Sequence, residues 1–301
     1  MHIALCMDRP TMTLLRTLSL IAALLTAGSS TVALAAETEH AIAPSDLMLV
    51  IRAKDDDATK AAAARIQAAA DAGNSFAMYD VGSLHRQSSR KGAAVFAYDP
   101  GKALKWLTRA FDGGRLTAAY KIALTYAAIG DDMEAMGWAQ VYAHFVRPSE
   151  KRSGRQIQFR LALLNDLYAR IGRDREDAIE ARLMTLLDKH GPSYEAGNRR
   201  SEPRHPDWID DEDDCTLTKL PIRHSESIRQ PVDGLVEYLV EIDAQGRPGA
   251  FAALDSAPQA MIERDLRDHV QRLDCRPQRR TRYAFQNFQL QFGARLRLEE
   301  D

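Results

Sequence analysis

Cysteine is scarce in this chain of 301 residues, which has only Cys6, Cys215 and Cys275. None lies in a Cys-x-x-Cys pair, so the usual thiolate zinc site is excluded. An excess of charge of one sign is also missing. The 40 Lys and Arg against 42 Asp and Glu leave a formal charge of -2, which provides no broad basic field for nucleic acid or an anionic membrane. There is no Gly-x-Ser-x-Gly elbow, phosphate loop, His-Glu-x-x-His or Gly-x-Gly-x-x-Gly. The eight histidines are scattered. His85 and His144 fall in helix-forming runs, where a structural role is expected. The run "DWIDDEDD" lacks the alternating ligands and glycine of a calcium loop. No catalytic residue, cofactor-binding residue, metal ligand or cofactor is therefore assigned. An enzyme survives only as an alternative, because residues gathered by folding leave no linear trace.

The N-terminus has a definite pattern. Arg9 and Arg16 precede an apolar core from about Leu18 to Ala27, a small polar break and then Ala33-Leu34-Ala35. That order predicts a secretory signal peptide over 1–36, cleaved after Ala35 or Ala36. The rival is a retained anchor, because no charge interrupts Thr17 to Ala36 and roughly 20 such residues can just span a bilayer. Gly28, Ser29, Ser30 and Thr31 weigh against it. Residues 37–57 are expected to be disordered or extended.

Export would leave Cys215 and Cys275 as a pair in an oxidising compartment. A bridge closing about 60 residues constrains the unfolded chain by roughly 4 kcal/mol. Inert thiols, or chemistry with His224 or His269 supplied by folding, are the other readings.

A repeat organises the next segment. "AADAGNSFAMY" and "AFDGGRLTAAY" align Gly73 on Gly114, Ala77 on Ala118 and Tyr79 on Tyr120, an offset of 41 residues from Gly73 to Gly114. Helix-forming runs flank each copy, from Ala58 to Ala72 and Ser75 to His85, then from Lys102 to Asp112 and Thr117 to Ile129. Glycine between two helices allows the left-handed backbone that ends the first. A third first-helix follows at "DDMEAMGWAQVYAHF", where Ala135 and Trp138 echo Ala103 and Trp106. Asp131 and Asp132 favour its dipole.

On Ala103, Trp106, Ala110, Gly114, Ala118 and Tyr120, and on Gly73, Asn74, Ala77 and Tyr79, the stretch 58–146 resembles the Sel-one-like repeat family, relatives of tetratricopeptide repeats. The first copy lacks the tryptophan, and "RQSSRKGAAVFAYDPG" lengthens its connection. The resemblance implies a helical-hairpin solenoid that holds other proteins, with Trp106, Trp138, Tyr79 and Tyr120 as core. Two more amphipathic helices follow. Ile157, Leu161, Leu164, Tyr168 and Ile171 line the first, and Ile179, Leu183, Leu186 and Leu187 the second, which is expected to stop at Gly191-Pro192. They are read as capping helices that close a repeat domain over 58–190.

Residues 191–214 lose periodicity and read as a solvated linker, with Trp208 available to dock on a neighbouring domain. Beyond it the period becomes two. Val236, Tyr238, Val240 and Ile242 share one face of a strand, Glu237 and Glu241 the other, and "DAQG" turns the chain into a second strand. Ser256 is placed to cap a helix lined by Ile262, Leu266, Val270 and Leu273 and ending at Cys275-Arg276-Pro277. "TRYAFQNFQLQF" alternates again, with Phe288, Leu290 and Phe292 on one face.

With Gly234, "IDAQGRP", "LDCRP" and the last strand in this order, residues 215–301 resemble a TonB C-terminal domain. Cys275 stands in the family's aromatic-proline region, and the long Pro- and Lys-rich spacer is missing. The resemblance implies a strand-strand-helix-strand fold that receives a peptide strand by edge pairing. Tyr283, Phe285, Phe288 and Leu290 are the candidate edge.

The expected class is thus two-domain, an all-α helical-hairpin repeat solenoid followed by a small α+β module. The expected function is a non-catalytic scaffold in the periplasm, with envelope proteins or peptide segments as partners. No nucleic acid is expected, and membrane only if the N-terminus is retained. The main alternative is an inner-membrane transducer, for which about 24 extended linker residues reach roughly 80 Å. Intact-mass measurement on fractionated cells, with and without reductant, separates these readings. The scaffold predicts a leaderless mass and a two-proton deficit, whereas an intact leader with alkylatable thiols would refute export.

Overall fold

The computed structural model describes residues 41–52, 56–87, 95–146, 154–200, 202, 204–209, 215–217, 234–257, 267 and 270–290. The first helix, α1 (Pro44–Arg52), lies within the stretch expected to be irregular. Its Leu47, Met48, Val50 and Ile51 are buried, so tertiary packing sustains a nine-residue helix that is too short to persist alone.

Next come α2 (Asp57–Asp71), α3 (Ser75–Arg86), α4 (Pro100–Asp112), α5 (Leu116–Ala128) and α6 (Asp132–Phe145). Four of these begin on a carboxylate or amide cap. Asp56, Asn74, Asp99 and Asp131 each accept from the backbone N–H three residues on, which satisfies a donor the helix leaves orphaned. Each helix packs on the next. The turns are left-handed at Gly73 (φ 101°), Gly114 (φ 94°) and Gly130 (φ 83°). Ala77, Ala103, Ala110 and Ala118 are fully buried, and Trp106 and Trp138 lie in the core.

Helices α7 (Gly154–Ile171) and α8 (Glu176–Asn198) follow. The second does not stop at Gly191-Pro192 but runs through Pro192 to Asn198. An interior proline costs about 3 kcal/mol or more, and packing offsets it here. Tyr194 stacks on Phe111 with centroids 4.7 Å apart, and His190 Nδ1 lies 2.9 Å from Asp112 Oδ1. Helix α8 lies against both α4 and α6.

Strands β1 (Cys215–Leu217), β2 (Gly234–Ile242), β3 (Pro248–Ala257), β4 (Leu273–Cys275) and β5 (Arg282–Leu290) complete the described chain. β1 pairs with β4, and a three-stranded antiparallel sheet has the order β3-β2-β5. Ser256 belongs to β3 rather than to a helix cap. The helix expected after it lies largely outside the described residues, with Arg267 and Val270 helical. Leu273–Cys275 is a strand and not a helix end, because it pairs in register with Cys215–Leu217.

Both faces of the sheet are covered. Val236, Tyr238, Val240 and Ile242 join Val270, Leu273 and Cys275 on one side, while Leu239 and Leu254 join the helical core on the other. The helices and the sheet therefore share a core within one compact unit, His40–Asp301.

A Cβ on Gly114 would come 2.5 Å from Asn198 N and 2.6 Å from Gly197 C, whereas one on Gly73 meets nothing within 4 Å. Gly73→Ala is expected to cost about 1 kcal/mol for the left-handed backbone alone, and Gly114→Ala about 3 kcal/mol once overpacking is added. Urea denaturation of both variants checks this, and equal losses would contradict the close approach of α8.

Candidate functional site

The helices bring an unexpected set of charges against the sheet. From α5, Lys121 is 3% exposed, and its Nζ donates to Ser83 Oγ at 2.6 Å and to Glu237 Oε2 at 2.5 Å. It also lies 3.2 Å from Asp255 Oδ2 and 4.1 Å from the Tyr79 ring centroid. Tyr79 OH donates to the Glu237 carboxylate at 3.1 Å. Asp255 accepts from both Arg86 and Gln87, and Arg86 donates to Ser256 O at 3.0 Å.

Glu237, on the face opposite the apolar residues of its strand, is only 5% exposed, because the helices form a second layer over its side of β2. A register shift between Glu237 and Tyr238 places Asp255 opposite Glu237 and Ala253 opposite Tyr238. The extra residue, Leu254, is a bulge of the kind that re-aims side chains. Leu254 joins the helical core while Asp255 meets Arg86.

The electrostatics follow from mutual pairing. Burial pulls the Lys121 ammonium down, but Glu237, Tyr79 and Asp255 outweigh it and raise its pKa. Burial pushes Asp255 up, yet Arg86 and Lys121 hold it below the ordinary carboxylate range. Burial and then the Glu237 charge raise the Tyr79 phenol. Tyr79 is thus more than apolar core.

Asp80 is the exception in this neighbourhood. It is 3% exposed, accepts no hydrogen bond among the described residues, and burial followed by Glu237 pushes its pKa up to about 8. Its carboxyl lines a recess with Asn74, Phe76, Arg204, Trp208 and Phe285, with room for about one water molecule. The Arg204 guanidinium lies 4.4 Å from the Phe76 centroid and 5.2 Å from that of Trp208.

Part of the expected linker forms this wall. Trp208 stacks on Phe285 at 4.8 Å and donates from Nε1 to Ile42 O at 3.2 Å. Residues on either side of it pair with β5. Tyr283 N donates to Asp207 O, and Ile209 N to Tyr283 O, both at 2.8 Å. The outward rungs of β5 are therefore 283, 285, 287 and 289 by alternation. Of the candidate edge residues, Tyr283 has its outer groups occupied and Phe285 directs its own away from β2. Phe288 and Leu290 stand opposite Val236 and Gly234 and direct theirs inward, so Asn287 and Gln289 replace them as edge positions. Phe292 lies outside the described residues.

On the other side of the sheet, Cys215 and Cys275 face each other across β1 and β4, with Sγ atoms 2.07 Å apart. Cys275 is buried beside Val270 and Leu273. Among the described residues no group of His, Cys, Asp and Glu suits a metal ion, and no helix is long and apolar enough to cross a membrane. The predicted leader, His224 and His269 lie outside those residues.

The sequence reading missed Lys121, Asp80, Arg86, Glu237 and Asp255. Their signal was weak but present, since Asp80 and Lys121 are single charges inside "FAMYDVG" and "AAYKIAL". No family model, curated protein or solved structure matches the chain.

Two isosteric substitutions are expected to act in opposite directions. Lys121→Met strands Glu237 without its cation and costs about 3–5 kcal/mol, of which Glu237→Gln restores part in the double variant. Asp80 binds its proton more tightly folded than unfolded, so its effect on stability worsens as pH rises from about 4 to about 8. Asp80→Asn is therefore expected to raise the melting temperature at about pH 8 and to change little at about pH 4. Urea and thermal melts across pH check both, and an Asp80→Asn gain confined to acid would contradict the sign.

Proposed function

We propose that this protein is a non-catalytic scaffold of the cell envelope, in which a helical-hairpin repeat array supports a TonB-like module that takes up an extended peptide strand from a protein partner. The observation that carries the reading is the outer edge of β5. Its first rung already pairs with the segment Asp207–Ile209, so this edge accepts an added chain. Phe285, Asn287 and Gln289 supply the next rungs in the same line. Strand addition draws affinity from backbone groups, which accords with a chain that has no conventional catalytic motif.

The charge cluster suits support rather than turnover. Lys121, Glu237, Asp255 and Arg86 satisfy one another, and each is buried or nearly so, which leaves none poised for a substrate. The Cys215–Cys275 pair fits an exported protein, because disulfides persist outside the reducing cytosol. An inner-membrane transducer is the second reading, and it stands or falls on retention of the N-terminal segment.

Photo-crosslinking in intact cells tests the scaffold. A crosslinking side chain at Asn287 or Gln289 is expected to give a discrete adduct with a protein partner, and one at Met184, which is 50% exposed on α8, is not. Adducts of equal yield from all three positions, or none from the β5 positions, would overturn the assignment of the edge.

A further inference from the structure

Strand β1 is held in place by little besides its disulfide. Among the described residues it pairs with β4 alone, through Cys215–Cys275, Thr216–Asp274 and Leu217–Leu273. The Cys275 N–H donates away from β1, to Gly246 O at 3.1 Å. Both backbone groups of a strand residue point to one side, so Cys215 and Cys275 form a non-hydrogen-bonded pair. By alternation Thr216 and Asp274 are the pair of the three that exchanges backbone hydrogen bonds. Two such bonds contribute less than ordering three residues costs, and a two-stranded ribbon is marginal in water at best.

The rest of the module does not depend on β1 in turn. Val236, Tyr238, Val240, Val270 and Leu273 belong to the apolar cluster on this side of the sheet, and Cys215 packs only against its margin. Strand β2 has its own ladders with β3 and β5. The ion pairs of Arg86 and Lys121 lie on the opposite face, and β4 keeps its tie to the β2–β3 turn at Gly246. Loss of the bridge therefore opens the chain locally rather than globally.

The two sulfurs are unequally accessible. Cys275 is 4% exposed, whereas Cys215 is half-buried, and thiol–disulfide exchange needs access to the sulfur attacked. A dithiol thus enters at Cys215. Its thiolate bonds to Cys215 Sγ, the Sγ–Sγ bond breaks, and the electron pair leaves on Cys275, which takes a proton. The second thiol of the reductant then displaces Cys215. Two electrons and two protons pass to the chain, the dithiol becomes a disulfide, and both cysteines end as thiols.

We propose that the Cys215–Cys275 bridge is a redox latch, which a dithiol opens to release β1 from β4 while the three-stranded sheet and its helices stay folded. Opening withdraws the strand partner of the Asp274 backbone groups, so β4 turns from a paired strand into an edge. It also returns Cys215 as an accessible thiol.

The folded full chain, treated with dithiothreitol and then with N-ethylmaleimide, is the test, read by peptide mapping and amide hydrogen exchange. Cys215 is expected to alkylate about tenfold or more faster than Cys275, and Thr216 and Leu217 to exchange about a hundredfold faster than in the bridged chain. Leu239 and Val240 are expected to keep their protection, and reoxidation to restore that of β1. A Cys215→Ser/Cys275→Ala variant is expected to match the reduced protein without any thiol reagent. A bridge that dithiothreitol cannot reduce in the folded chain, or unchanged exchange at Thr216 after reduction, would overturn the latch. Loss of protection in β2 together with β1 would overturn it too, and make the bridge a staple for the whole module.

Discussion

The ion pair between Lys121 and Glu237 is the constraint on which the seam between helices and sheet depends. Each is nearly inaccessible to water, and a buried charge is tolerated only beside its counterion. Lys121 comes from the helix that follows the Gly114 turn, and Glu237 from a strand more than a hundred residues later. Neither segment is acceptable in the core alone. The charges thereby penalise every packing that slides the sheet along the helices. Apolar contacts such as Leu239 and Leu254 against the helical core tolerate such sliding far better. The bulge at Leu254 belongs to the same device, because it lets Leu254 and Asp255 both face the helices, whereas in a regular strand Asp255 would turn away from Arg86 and Lys121.

A second constraint acts through backbone contact rather than charge. The Gly113-Gly114 turn and Gly197 near the end of α8 touch with no side chain between them. That contact fixes α8 along α4, and the stacking of Tyr194 on Phe111 reinforces it. It explains why the helix survives Pro192: Tyr194 and Gly197, beyond the proline, are buried, so ending it there would forfeit more than one missing hydrogen bond. Ser75 is fixed similarly, since Glu202, just after α8, accepts from its N–H and hydroxyl at 3.0 and 2.7 Å.

Local signals explain what was legible in the sequence. The helices and their turns announced themselves through Gly73 and Gly114 and through Asp131 and Asp132 at a helix start, because turn and helix-end chemistry acts within a few residues. The β2–β3 hairpin was visible in its alternation and in "DAQG". What escaped was set by distant partners. Helix α1 has too few residues to carry a period. The expected halt at Pro192 applied a local rule that packing overrode. Glu237 has the pattern of a solvent-facing residue and becomes a core residue only because α3 and α5 lie over it. Two of the four candidate edge residues, Phe288 and Leu290, face β2 for a related reason: hydrophobic alternation reports which way side chains point, whereas strand addition uses backbone groups, whose direction is set by register.

Covering both faces of the sheet has a consequence for recognition. With helices on one side and the Val270, Leu273 and Cys275 cluster on the other, the central strand β2 offers a partner nothing, and its backbone is spent on β3 and β5. New contacts must be made at a margin. At the β5 margin the chain has placed its own segment on the Tyr283 rung and stacked Trp208 over Phe285. An edge strand left plain would invite pairing with any exposed strand. Occupying one rung with the chain's own segment shortens the row of backbone groups that another strand could pair with.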